Sequence, residues 1–233
     1  MLDQAKHEIL LKNILREIYQ NPILQAQLAF KGGTCFYFFY DLPLFSMDLD
    51  FSLLSGVKES DFAPDILRQI FSKYVTVREY TNKRFTWFWS GNYEKGLQNI
   101  KVEVSKRTFP DQYALKDFLG ITVRTLDLAT MFAHKLCAVT DRRQMVNRDL
   151  YDTWWLLKQM APIREEVVVE RTGKNLPEYL AYLLEYLKNH VDKRHIVAGL
   201  GEVLERPQRD WVRDHLFDDL VAQIQIRIEA ESK

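Results

Sequence analysis

The sequence predicts an α+β chain in which an α/β half of about 110 residues precedes an all-helical half, with Pro110–Gly120 as the join. Three observations predict it. Short runs that alternate apolar and polar residues, rich in Val, Phe and Trp, recur up to residue 107. From residue 126 onward apolar positions recur instead at intervals of three and four. Turn chemistry punctuates the first half, at Asn21–Pro22, at Gly32–Gly33 and in GNYEKG, residues 91–96.

Taken in order, residues 3–20 place Ile9, Leu10, Ile14, Leu15 and Ile18 at helical spacing, and Asn21–Pro22 ends or redirects that helix. LAFKGG reads as a short strand stopping at two glycines, TCFYFFYD as a short helix, and LPLF as a lead into the next strand. A helix follows at 61–74, then strands at VTVREY, RFTWFWS and IKVEVSKR, with GNYEKG as the turn between the last two. Helical patterns then run over 126–141, 146–160, 163–171, 177–190, 193–204 and 208–229.

Composition excludes several classes. The chain has 233 residues, 47% of them hydrophobic and 27% charged, enough to bury a core without disulfides or structural metal. No apolar run approaches the roughly 18 residues of a membrane-spanning helix, so no membrane partner is expected. The amino terminus, MLDQAKHEILLK, carries charge from its third residue and lacks the apolar segment of a signal peptide, which predicts a cytoplasmic chain. Cys35 and Cys137 sit in apolar segments without metal-finger spacing and read as buried free thiols. Thirty-two basic residues balance 32 acidic ones, so no global field announces a nucleic-acid binder. Locally, Lys83, Arg84, Lys95, Lys101, Lys106 and Arg107 face only Glu94 and Glu103, and Lys135, Arg142, Arg143 and Arg148 face only Asp141. Both clusters can contact phosphates; solvated faces give the same counts.

The stretch AFKGGTCFYFFYDLPLFSMDLDFSLL, residues 29–54, carries the chemistry. As a strand, its second half puts Phe45, Met47, Leu49, Phe51 and Leu53 on one face and Ser46, Asp48, Asp50 and Ser52 on the other. Carboxylates at i and i+2 lie about 7 Å apart at Cα and repel by about 2 kcal/mol at an effective dielectric near 20. No Lys or Arg occurs between Lys31 and Lys58, so the pair has no cation near it in sequence. Mg²⁺ would offset the repulsion, because it accepts one or two carboxylates and completes its shell with water and substrate phosphates; a solvated strand end would need nothing. Gly32 and Gly33 sit where strand passes to helix, where backbone N–H groups can approach a phosphate. Thr34 can cap that helix or bond a phosphate oxygen. In IKVEVSK the polar face holds Lys101, Glu103 and Ser105, which makes Glu103 the candidate third metal carboxylate, or an ordinary solvent-side Glu.

Downstream, Lys135 falls within the apolar stripe of Met131, Phe132, Leu136 and Val139 and either snorkels out or reaches inward to an anion. Asn147 can serve as an N-cap, which puts Asp149 in the first turn, where an acid is favoured for structural reasons alone. Arg148 and Asp152 can form a plain i,i+4 pair. The five histidines read as surface or core residues, and the aromatic groups CFYFFY and WFW as core or sheet face, with alternate rings of RFTWFWS as a candidate base-stacking platform.

KGGT, FSMDLDF, IKVEV, AHKLCAV and RDLYDTWWLL, in that order over residues 29–157, resemble the nucleotidyltransferase AbiEii/AbiGii toxin family. The resemblance implies a DNA-polymerase-β-like nucleotidyltransferase core, a small mixed sheet with flanking helices over residues 1–110, and a helical lobe over 111–233 that completes the active-site cleft. It implies a bacterial toxin–antitoxin or phage-defence pair whose toxin moves nucleotides from an NTP onto an acceptor, the 3′ end of tRNA for some relatives. By residue it implies Asp48 and Asp50 as metal carboxylates for Mg²⁺, Gly33 and Thr34 as the phosphate loop and Lys135 as the triphosphate lysine. Lys31, Gly32 and Ser46 join the nucleotide-binding set. Either Asp149 or Asp152 matches the late catalytic acid, and Asp149 is favoured. The expected partners are the NTP, an RNA acceptor, and a cognate antitoxin protein or its transcript. Competing readings keep the core but modify a small molecule or a protein side chain, or retain it as a non-enzymatic NTP- or RNA-binding module.

Overall fold

The structure is a computed structural model that describes residues 3–201 and 203–231. It divides into two compact units, Met1–Asp127 and Leu128–Lys233.

The first unit opens with α1 (Gln4–Gln20), which Asp3 caps by accepting from the Lys6 N–H. Its buried stripe is His7, Leu11, Ile14, Leu15 and Ile18. The expected stripe included Ile9 and Leu10, yet Ile9 is 59% exposed, because the face turned to the sheet is set by i, i+4 and i+3 steps from His7. Asn21 ends α1 and caps the one-turn α2 (Pro22–Gln25), accepting from the N–H groups of Ile23 and Leu24. Then come β1 (Leu28–Lys31), α3 (Gly32–Phe39), β2 (Asp48–Leu53), α4 (Pro64–Ser72), β3 (Thr76–Lys83), β4 (Thr86–Asn92) and β5 (Ile100–Ser105). The unit closes with β6 (Tyr113–Phe118) and β7 (Ile121–Leu126).

The strands form one mixed sheet in the order β3-β4-β5-β2-β1-β7-β6. The acid-bearing β2 is central, parallel to β5 and antiparallel to β1. A central strand is held by ladders on both sides, which makes it a rigid base for catalytic groups. Leu49 and Phe51 are fully buried and Phe30 packs on Phe51 at 5.4 Å between ring centroids. Tyr19 locks α1 to the sheet by donating to the carbonyls of Leu28 (3.2 Å) and Arg124 (2.6 Å).

The hairpin of β6 and β7 was absent from the expected elements, which placed the start of the helical half at Pro110–Gly120. It pairs with β1 through β7, so residues 113–126 belong to the sheet of the first unit.

The second unit consists of α5 (Leu128–Asp141), α6 (Asn147–Lys158), α7 (Glu165–Thr172), α8 (Leu176–His190) and α9 (Arg206–Glu231). A full capping box between Asn175 and Glu178 starts α8. The helix expected over 193–204 is instead a single 3-10 turn at Lys193–His195 followed by turns, with Gly199 at φ +77°; of that span Glu202 lies outside the described residues. Cys35 and Cys137 are buried free thiols, and burial pushes the Cys137 thiol up to about 12. Among the described residues no helix is long and apolar enough to cross a membrane.

Candidate active site

In the first unit, β1 ends at Lys31 and the chain turns at Gly32 with φ +84°, a left-handed conformation that glycine adopts without strain. Beyond that turn α3 begins with no side chain capping it, so its first N–H groups carry the positive end of the helix dipole without a side-chain partner. The corner packs directly on the acidic strand. A Cβ built at Gly32 would lie 2.4 Å from Asp50 Oδ2, closer than real Cβ atoms approach, and 3.0 Å from Asp50 Cβ, a tight contact. The paired-glycine turn and Asp50 are therefore in direct contact.

Asp48 and Asp50 are half-buried on β2 and share a face, while Leu49 and Phe51 are buried on the other. Their charge is not left to a ligand alone, which corrects the reading from sequence distance. Lys31 stands opposite Asp50 in the antiparallel β1–β2 register, and Lys101 stands beside Asp48 in the parallel β2–β5 register, its Nζ 3.8 Å from Asp48 Oδ2. The Lys101–Asp48 pair is long and its side chains are 51% and 38% exposed, a class of contact worth about 0–1 kcal/mol. Such a pair softens the repulsion between the two carboxylates without abolishing it.

Two further predicted residues take different places. Thr34 is fully buried, and its hydroxyl donates to the Asp48 carbonyl at 2.5 Å; it neither caps α3 nor faces outward, because burial leaves that hydroxyl only the neighbouring strand as acceptor. Glu103 is aligned with Asp50 across β2 and β5, yet no group of three or more His, Cys, Asp or Glu is arranged to hold a metal ion among the described residues. Ser46 is buried just before β2, Gly33 is buried, and Lys31 and Gly32 are half-buried.

The donor set still suits a hard divalent cation. Two carboxylate-bearing residues share one strand face beside an uncapped helix start, and Mg²⁺ needs no more than one or two protein carboxylates when phosphate and water supply the rest.

One residue of this assembly was invisible in the sequence. His7 on α1 is fully buried, and its Nε2 donates to the carbonyl of Met47, the residue before Asp48, at 2.9 Å. Its Nδ1 lies 3.2 Å from the Tyr93 hydroxyl. Burial lowers its pKa, and the hydrogen bond to Met47 opposes this only in part, so the ring is held neutral. His7 and Thr34 thus fix both sides of the entry to β2, through Met47 and Asp48.

In the second unit Lys135 reaches inward, and the anions it meets belong to the protein. Its Nζ is 3.0 Å from Asp149 Oδ1 and 2.9 Å from Asp152 Oδ2 on α6. Asp149 also receives Arg142 Nε at 2.7 Å. The lysine side chain is 13% exposed and the two aspartates 3% and 0%, so a buried cluster of balanced charge ties α5 to α6. Burial alone would lower the Lys135 pKa, but the combined attraction of Asp152 and Asp149 outweighs it and holds the ammonium well above its ordinary value. Asn147 is the first residue of α6 and not its N-cap; its side chain donates to the carbonyls of His195 and Ala198 instead. His134 is half-buried and bonded to Arg171, a structural role.

The model of the family described as nucleotidyl transferase AbiEii toxin, type IV toxin–antitoxin system, matches residues 13–223. In structure the chain is similar to JHP933 from Helicobacter pylori, at 20% identity and a TM-score of 0.60, over 100% of this chain and 97% of that one. It is also similar to a candidate nucleotidyltransferase from H. pylori, at 20% identity and a TM-score of 0.61, over 99% and 97%. At that identity the two likenesses carry the fold alone. No curated protein matches the chain.

Proposed function

Because this chain belongs to the nucleotidyl transferase AbiEii toxin family and is a nucleotidyltransferase, we propose that Asp48, Asp50 and the Gly32–Gly33 corner form its nucleotide site. The observation that supports this reading is the contact of Gly32 with Asp50, which leaves no room for a side chain between the helix start and the carboxylate.

Asp48 and Asp50 would hold Mg²⁺, which when bound neutralises phosphate charge and lowers the pKa of an attacking hydroxyl. The N–H groups at the start of α3 orient the NTP phosphates, and Lys31 adds positive charge on the Asp50 side. Thr34 and His7 hold the strand that carries the acids, and Ser46 packs ahead of it. Lys135 is the proposed triphosphate lysine of the helical unit, held in place by Asp149 and Asp152. Asp149, which Arg142 also reaches, is the proposed late acid; Asp152, wholly buried, is the positioning partner. Glu103 is not retained as a metal ligand.

The acceptor we propose is the 3′ end of an RNA, tRNA first, within a toxin–antitoxin pair that acts in phage defence and has a cognate antitoxin protein or its transcript as partner. Family membership and the basic clusters in an otherwise neutral chain support it. Incubation with labelled NTPs, Mg²⁺ and total RNA tests the reading. Transfer of label to a tRNA-sized band, lost in Asp48→Ala, is the expected result; label that survives the substitution removes the acidic pair from the reaction.

A further inference from the structure

Where β4 begins and β5 ends, a cavity of about 530 Å³ opens on the first unit. Arg84, Phe85, Arg107 and Phe109 are among its lining residues. The Phe85 ring is 43% exposed, and both guanidinium carbons, of Arg84 and of Arg107, lie 4.9 Å from its centroid. Neither guanidinium has a carboxylate partner among the described residues. The acid in the cavity, Glu59, is already paired with Lys106 at 3.0 Å.

Lys106 builds this site from beneath. Its side chain is 6% exposed, with Nζ 4.1 Å from the Trp87 ring centroid and 2.6 Å from Asn82 Oδ1. Its backbone N–H donates to the Phe85 carbonyl at 2.9 Å, which ties the β3–β4 turn to the end of β5 and brings Arg107 to the ring. Two like charges gathered on one exposed ring repel each other until an anion joins them. Forked guanidiniums bind phosphate oxygens in pairs, and an aromatic face or a guanidinium plane stacks a nucleobase. The cavity volume falls in the range that takes a molecule the size of a nucleotide.

The cavity lies past Ser105, the last residue of β5, which pairs with Ser52, whereas Asp48 and Asp50 pair with Lys101 and Glu103 earlier on β5, and none of its lining residues belongs to the Lys31–Thr34 turn. The site is therefore separate from the nucleotide corner. We propose that it binds single-stranded RNA, with backbone phosphates on Arg84 and Arg107 and a base stacked against Phe85. The choice of RNA over other polyanions rests on the RNA-acceptor reading above.

The test is binding of the full-length protein to a fluorescent 12-nucleotide single-stranded RNA across a salt series, in parallel with Mg–NTP binding. Arg84→Gln combined with Arg107→Gln is expected to weaken RNA binding at least tenfold and to lower the salt slope by about 1.4, the value for two single-strand phosphate contacts. Phe85→Leu is expected to weaken it about fivefold or more with the slope unchanged. NTP binding stays at the wild-type level in both, which shows that the variants fold. RNA binding unchanged in the double variant overturns the proposal, as does equal competition by an acidic peptide or by inorganic phosphate at the same charge. If the wild type binds RNA through these residues but transfers no label to it, the site stands and the acceptor assignment fails.

Discussion

A methyl group at position 32 would meet the Asp50 carboxylate at 2.4 Å, in a backbone conformation that costs a side chain about 1–2 kcal/mol. The carboxylate is the movable partner in that clash, so Gly32→Ala is expected to displace Asp50 more than it unfolds the protein. Nucleotide transfer should fall by at least tenfold while thermal stability falls by no more than a few degrees; activity kept at the wild-type level would show that Asp50 does not need this position. His7 sets a second expectation. Its folded pKa lies below the ordinary value near 6.5, so the unfolded chain takes up the proton first as pH falls. Stability is full above about pH 6.5 and declines below it, and His7→Gln should flatten that decline in urea titrations between pH 7 and 5. The acidic pair and the glycines were legible in the sequence because they act through neighbours on one strand and one turn. His7 with Met47, and Lys101 with Asp48, were not, since each pair meets only after long stretches of chain fold back.

Among elements, α5 and α6 are joined by a charge cluster in place of a purely apolar seam. Removing one member of a buried ion pair leaves the other uncompensated, so Asp152→Ala should cost about 3–5 kcal/mol in denaturant unfolding. A joint change of Lys135 to Met and Asp152 to Leu should cost much less, since it strands no charge on that axis. Equal losses from the two variants would mean that packing, not charge, holds the helices. The raised pKa of Lys135 means that this contribution is complete below the ordinary lysine value near 10.4 and is lost only as pH rises above it. The hairpin β6–β7 was hidden because its alternation points the wrong way: on β6 Leu115 is 67% exposed, as an edge strand permits, so its pattern does not mark a buried face. The turns after Lys193 were read as helix because apolar spacing persisted, whereas Gly199 at positive φ breaks the backbone there.

At the scale of the molecule, the family match runs from residue 13 to residue 223 and so spans both units, although the motifs that signalled it end at residue 157. With 32 basic and 32 acidic residues the chain has no net field to gather a polyanion, and any attraction to RNA has to come from local groups such as Arg84 and Arg107. The proposed chemistry is concentrated in the same way, on the central strand of the sheet and the uncapped helix start beside it. Calorimetric titration of Mg–NTP into the full-length protein and into Asp50→Asn tests this most directly. The account predicts binding to the wild type and at least a tenfold loss in the variant; undiminished binding to Asp50→Asn would contradict it.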